Sequence, residues 1–250
     1  MITLPATTPL IYPSGDGRPV AETFVHLYAL LTTLEVLRQY LEGQQATVLA
    51  NQFLYYAPGV PSARVAPDVM VVFGVQPGGR DYFKTWEEGQ VPAVIFEITS
   101  ASTQSRDRGD KMTLYALLGV QEYWLFDPKG EWIKEQLQGY RLEAVLEEGE
   151  PLNRYTAMSD TTSAVLGLRL QVEGALLGCY RLDNGQKLLV PSELAAQLRQ
   201  TAARLQQAEQ LAAQEQRARQ QAEQLAEQQR LRAESLAEQL RSLGIDPDPT

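Results

Sequence analysis

Along "ETFVHLYALLTTLEVLRQYL" the apolar residues Phe24, Leu27, Leu30, Leu31, Leu34 and Leu37 recur three and four positions apart. That spacing is one face of a helix, which Pro19 suits at its first turn and which runs to about Leu41. The period then shortens. "ATVLANQFLYYA" (46–57) and "RVAPDVMVVFG" (64–74) are β-branched and aromatic and predict two strands separated by the turn-like "PGVPS", with a Gly-rich, charged loop following to about Gln90. "VPAVIFEIT" (91–99) is apolar enough to lie centrally in a sheet. Met112, Tyr115, Ala116 and Gly119 return to helical spacing, with Gly119 placed to end the helix, and "EYWLFDP" (122–128) is a strand closed by Asp127-Pro128. From Gly130 to about Val190 the pattern predicts a meander of shorter strands, with turns at Gly139, Gly149 and Asn184-Gly185.

The order of elements divides the chain into three. Residues 1–18, rich in Pro, Gly, Ser and Thr, form an irregular lead-in; 19–190 form an α/β domain; 191–250 form a tail. From Glu193 to Arg241 the tail is almost entirely Ala, Gln, Glu, Arg and Leu, without Gly or Pro, and so predicts one long helix. "QQAEQLA" at 206–212 returns at 220–226, two heptads on, and "AEQL" at 237–240 falls one residue out of that frame. Two expectations follow: a coiled coil that makes the protein a homo-oligomer, or a solvated single helix carrying Glu/Arg pairs.

Charge enters the picture at one point of this pattern. In "VIFEITSASTQSRDRGDK" the carboxylate of Glu97 interrupts a run that should be buried, and Asp68 in "PDVMVVF" stands at the head of another apolar strand. A buried carboxylate costs several kcal/mol unless it is paired, neutralised or bound to a metal. Two such groups on neighbouring strands repel each other until a divalent cation lies between them. Mg²⁺, or Mn²⁺, is the natural candidate, because it takes oxygen ligands and keeps waters that a phosphate can displace.

Composition removes the competitors. The 250 residues include one Cys and one His, so there is no intrachain disulfide, no multi-cysteine zinc site and no HExxH pair. A Ser-His-Asp triad would have to use His26, whose helical setting reads as a partly buried or face-edge histidine, so a peptide or ester hydrolase lacks a credible nucleophile and base. Cys179 in "LLGCYRL" reads as a small core residue. No apolar run reaches the roughly 18 residues of a membrane span and the N-terminus lacks a secretory pattern, so a cytoplasmic protein is expected. The net charge of -9 works against a nucleic-acid partner, whose phosphates ordinarily meet a basic surface.

The Pro-Asp of 67–68 followed by Glu-Ile-Thr at 97–99 resembles the metal-binding signature of the PD-(D/E)XK nuclease superfamily. More closely, "VIFEITSASTQSRDRGDKMTLYALLGVQEYWLFDP", with "YPSGDGRPVAE" and "APDVMVVFG", resembles the Uma-two type of restriction endonuclease over about residues 12–190. The resemblance implies a restriction-endonuclease-like mixed β-sheet core flanked by helices, and Asp68 and Glu97 as metal ligands with the Ile98 carbonyl as a third. It also implies DNA as the substrate of a Mg²⁺-dependent endodeoxyribonuclease. The superfamily's lysine normally stands two residues after the acidic residue, where this chain has Thr99. Lys111 is the expected replacement, its alternative being a surface lysine paired with Asp107 four residues earlier. Glu22 is either a further acidic catalytic residue from the first helix or a helix-start charge. Tyr115 is expected in the core within reach of the site, and Ser100, Ser102 and Thr103 in the loop and helix cap, while Ala101 replaces the proline usual in related sequences. The competing function is a nuclease-like interaction module, with weak or no catalysis, that assembles through its helical tail.

Overall fold

The computed structural model describes residues 10–17, 22–100, 103–147 and 150–244; Pro19, Ala101, Ser102 and Gly149, singled out above, lie outside them. The chain divides into two units, one ending at Pro191 and one beginning at Ser192.

In the first unit, helix α1 (Phe24–Tyr40) opens at Thr23, whose side chain accepts the His26 N–H. It buries Ala29, Leu30, Val36 and Leu37 and leaves Phe24, Leu27, Tyr28 and Leu31 exposed. The strand expected over 46–57 is broken into β1 (Ala46–Leu49) and β2 (Phe53–Tyr55), because Asn51 adopts a left-handed φ of 58°. The strand expected over 64–74 is likewise two pieces, β3 (Arg64–Val65) and β4 (Val69–Phe73), parted at Pro67-Asp68. A proline cannot donate to a ladder, and its carbonyl instead accepts the Asn51 N–H at 3.0 Å. After β5 (Tyr82–Lys84) and the short α2 (Thr85–Glu88) comes β6 (Val94–Ile98), every residue of which is buried.

The helix expected to end at Gly119 is two helices, α3 (Gln104–Arg108) and α4 (Asp110–Leu118), broken at Gly109; Gly119 closes α4 with φ 85°. Strands β7 (Glu122–Phe126), β8 (Leu137–Glu147) and β9 (Glu150–Ala157) follow, then β10 (Thr162–Ser163), β11 (Leu168–Glu173), β12 (Leu176–Arg181) and β13 (Lys187–Leu188).

The central sheet is mixed and six-stranded, in the order β1-β4-β6-β7-β8-β9, with β6 and β7 parallel and the other pairs antiparallel. A four-stranded sheet β10-β11-β12-β13 and a three-stranded sheet β3-β2-β5 accompany it. Alternation along the central strands splits the core in two. Val69, Val71, Val94, Phe96, Ile98, Trp124 and Phe126 face one cluster with α1, and Met70, Val72, Ile95, Tyr123 and Leu125 face the other with Tyr115 of α4.

The second unit carries helix α5 (Pro191–Ser242), 52 residues with none buried. No helix among the described residues is long and apolar enough to cross a membrane.

Candidate functional site

Register decides what meets at the end of the central sheet. Val69 pairs with Phe96, so one step further out Asp68 reaches the level of Glu97. Asp68 Oδ2 accepts the Ile98 N–H at 2.6 Å, which ties the residue just before β4 to the end of β6. Glu97 shares the parity of Ile95 and therefore turns toward α4 rather than α1. There Tyr115 donates its hydroxyl to Glu97 Oε1 at 2.7 Å, and Lys111 Nζ lies 2.8 Å from Glu97 Oε2.

Lys111 pairs with Asp107 as one expectation had it, but buried rather than on the surface, and it also reaches Glu97. Its ammonium is 2.8 Å from Glu97 and 3.0 Å from Asp107 Oδ1, and its side chain is only 12 % exposed. The break at Gly109 sets this arrangement: Asp107 sits on α3 and Lys111 on α4, yet both turn inward. A Cβ at Gly109 would come 3.1 Å from the Ser105 carbonyl oxygen. Tyr123 anchors the α3 side by donating to the Asp107 carbonyl at 2.9 Å. Tyr115 is a fully buried core residue that also touches the site.

Glu22 precedes α1 rather than lying within it. Its Oε2 is 3.3 Å from His26 Nε2, and the same Nε2 is 3.8 Å from Asp68 Oδ2. His26, expected partly buried or at the edge of its helix face, is buried and lies between two candidate site carboxylates, with Nε2 making no hydrogen bond. Asp107, read only as a partner for a surface lysine, is buried; neither of its side-chain oxygens accepts a hydrogen bond, so Lys111 meets it as an ion pair alone. Two sequence signals pointed to these residues: the chain's one histidine four positions after Glu22, and an acid four positions before Lys111. Thr103 Oγ1 accepts the Ser100 N–H at 3.1 Å, so it shapes the loop without making a side-chain cap to α3. Thr99 is buried with an unpartnered hydroxyl.

The electrostatics follow from burial. Desolvation raises the Glu97 carboxyl to about 8 even though the Lys111 charge pulls the other way, and raises Asp68 to about 6 against the same ammonium and the Ile98 N–H. Desolvation alone would lower Lys111, but Glu97 and Asp107 outweigh it and hold the ammonium charged. Burial lowers His26 more than Glu22 raises it, which favours the neutral imidazole, and burial with Glu97 beside it pushes the Tyr115 hydroxyl well up.

Glu97 and Asp107 meet the Lys111 ammonium, and Glu22 and Asp68 flank His26, so four carboxyl groups share one ammonium and one imidazole that burial keeps neutral, and the imbalance is the kind a cation corrects. All are hard oxygen donors, and each Glu97 oxygen accepts one hydrogen bond, leaving a lone pair on each for a further partner. Among the described residues no three His, Cys, Asp or Glu side chains form a ready-made metal cage. Such oxygen donors suit a hard divalent cation held by one or two carboxylates and completed by water.

Comparison with known proteins gives a sequence and a structural likeness. The sequence model of the Uma2 family, described as "Putative restriction endonuclease", matches residues 11–173. Among solved structures, a chain from Anabaena variabilis ATCC 29413 described as "a putative nuclease belonging to DUF820" is similar at 15% identity, covering 60% of this chain and 77% of that chain with a TM-score of 0.40. None of the curated proteins matches.

Proposed function

The chain belongs to the Uma2 family, and on that premise we propose that it is an endonuclease that hydrolyses DNA phosphodiester bonds with a divalent cation. One observation carries the reading: a buried lysine ammonium, absent from the position after Ile98, is brought by α4 to 2.8 Å from Glu97, beside Asp68. Asp68 and Glu97 would hold Mg²⁺ or Mn²⁺. Such an ion supplies a Lewis acid for the phosphoryl oxygen and a source of hydroxide near neutral pH. Lys111, charged and within reach of the same carboxylates, opposes the negative charge that builds on the phosphate. Tyr115 and the Ile98 N–H fix the two carboxylates so that little reorganisation accompanies the reaction.

The phosphate backbone needs positive charge that the chain as a whole lacks. Arg80 and Lys84 are neutralised by Glu88 and Glu87, and Arg64 lies over the Phe53 ring. Arg106 and Arg108, exposed on α3 to either side of the buried Asp107, are the cations best placed to receive it.

Incubation of DNA with the protein and Mg²⁺ or Mn²⁺ tests the proposal. Cleavage should disappear in Asp68→Ala and Glu97→Ala and fall roughly 100-fold or more in Lys111→Ala. Cleavage unchanged in both carboxylate variants overturns it. A second reading, an interaction module with weak or no catalysis, is favoured by Thr99 standing where the superfamily has its lysine. Calorimetric titration separates the two: Mn²⁺ binding abolished by Glu97→Gln argues for the nuclease site, and no binding at all argues for the module.

A further inference from the structure

The first helix shows the sheet one face and solvent another. Ala29, Leu30, Val36 and Leu37 pack inward, while Phe24 is 76 %, Leu27 44 %, Tyr28 39 % and Leu31 50 % exposed. These four are spaced i, i+3, i+4 and i+7, so they form one stripe over two turns, on the side of α1 opposite His26. Phe24 and Tyr28 already stack on each other, ring centroids 5.5 Å apart at 11°. From these exposures the stripe amounts to on the order of 400 Å² of apolar surface, within the range at which a patch marks an interaction site.

We propose that this stripe is the two-fold interface between two copies of the chain, α1 lying antiparallel against α1. Three features select a second copy as the occupant. The stripe is self-complementary: about an axis between Leu27 and Tyr28, Phe24 of one copy falls opposite Leu31 of the other, and Leu27 opposite Tyr28, so each level pairs an aromatic ring with a leucine. The stripe carries no charge, and the charges further along the same face, Glu35 and Arg38, pair with each other at 3.8 Å, so a molecule of net charge -9 meets its copy where repulsion is least. The area sets the scale of the contact: roughly 400 Å² is about half of the roughly 800 Å² a side of a standard interface, an apolar centre whose rim the flanking positions of α1 would supply. Because the stripe lies opposite His26, the dimer leaves both carboxylate clusters uncovered, and its existence does not depend on whether the protein cleaves DNA.

The test is sedimentation of the full chain at micromolar concentration, with a short bis-maleimide crosslink as a second measurement. The natural protein should run at twice its 27.8 kDa, and Leu27→Glu/Leu31→Glu should halve that mass with an unchanged circular dichroism spectrum. Tyr28→Cys should crosslink to its copy, whereas Gln39→Cys, three turns from the axis, should not; the natural Cys179 is buried and does not compete. A monomeric natural protein overturns the proposal. So does a dimer that survives Leu27→Glu/Leu31→Glu and is instead lost in Leu211→Glu/Leu225→Glu, which would assign the contact to α5.

Discussion

Among the described residues, buried carboxylates are satisfied in two ways, one at the two ends of β7 and the other at the end of the central sheet beside α4. At one, Asp127 accepts the N–H groups of Lys129, Gly130, Trp132 and Ile133, and Glu122 accepts those of Ala164 and Val165 together with the Trp124 indole. The donors belong mostly to backbone that the fold has already fixed. At the other, Glu97 is met by a lysine and a tyrosine, Asp68 by one N–H, and Asp107 by the lysine alone. A carboxylate served by backbone is finished as a structural part. One served by a movable ammonium, with lone pairs left over, remains able to take another partner, and this distinction separates a turn from a candidate site.

Replacing Asp127 should therefore produce the largest loss of stability. Asp127→Ala leaves four N–H groups at the β7–β8 connection without their acceptor, which costs about 5 kcal/mol if most stay away from water. Urea denaturation should show it, and a loss below about 1 kcal/mol would show that water replaces the carboxylate freely. Lys111→Met comes next. It strands Glu97 and Asp107 together in the interior, at a cost of about 4 kcal/mol, and Lys111→Met/Asp107→Asn should recover much of it. Additive losses in the double variant would deny that the two groups interact.

The contrast also explains what could be read before the fold was seen. Glu97 stood out because a charge inside Val94-Ile95-Phe96-Ile98 breaks an otherwise buried strand, and strand parity then set its direction. Asp68 followed from the neighbouring strand, and α5 from composition alone. Asp107 and His26 were read as ordinary because their meaning depends on geometry that no local pattern carries. Asp107 turns inward where α3 and α4 break at Gly109, and His26 reaches Asp68 because the start of α1 lies beside the start of β4. The strand breaks at Asn51 and Pro67 were hidden for a related reason: apolar residues continue on both sides, so the hydrophobic pattern shows no gap.

Acidity sharpens the comparison further. Burial pushes the Glu97 carboxyl in the folded chain up to about 8 from an ordinary 4.5, and Asp68 up to about 6 from 3.8. Below those ordinary values both groups are protonated whether the chain is folded or not. As pH rises through the folded values the folded state must release protons that the unfolded state has already lost, so stability falls between about pH 4 and 8 and then levels off. The fall should be on the order of several kcal/mol in the presence of a chelator, the Lys111 attraction being already part of both folded values. Glu97→Gln, which has no proton to lose, should flatten the profile, and Mn²⁺ should flatten it in the natural protein. Melting temperatures across this range decide the matter, and a natural protein whose stability rises from pH 5 to 8 would reverse the sign assigned to the cluster.

The smallest effect belongs to Tyr115, and it separates packing from polarity within a single side chain. Tyr115→Phe keeps the ring against Tyr123, 5.3 Å away, and removes only the hydroxyl that donates to Glu97 at 2.7 Å. The neutral bond is replaceable by the neighbouring ammonium, so the loss in stability should be about 1 kcal/mol. Glu97 should then turn more freely, which lowers its fitness to hold a cation in one place. Mn²⁺ affinity measured by calorimetry should weaken several-fold while the melting temperature moves by only a few degrees. Tyr155→Phe is the matching control, since its hydroxyl serves the Val120 carbonyl at 2.8 Å rather than the cluster. It should cost a similar amount of stability and leave Mn²⁺ binding unchanged; equal weakening in both variants would mean that the cluster is not set apart from the surrounding core.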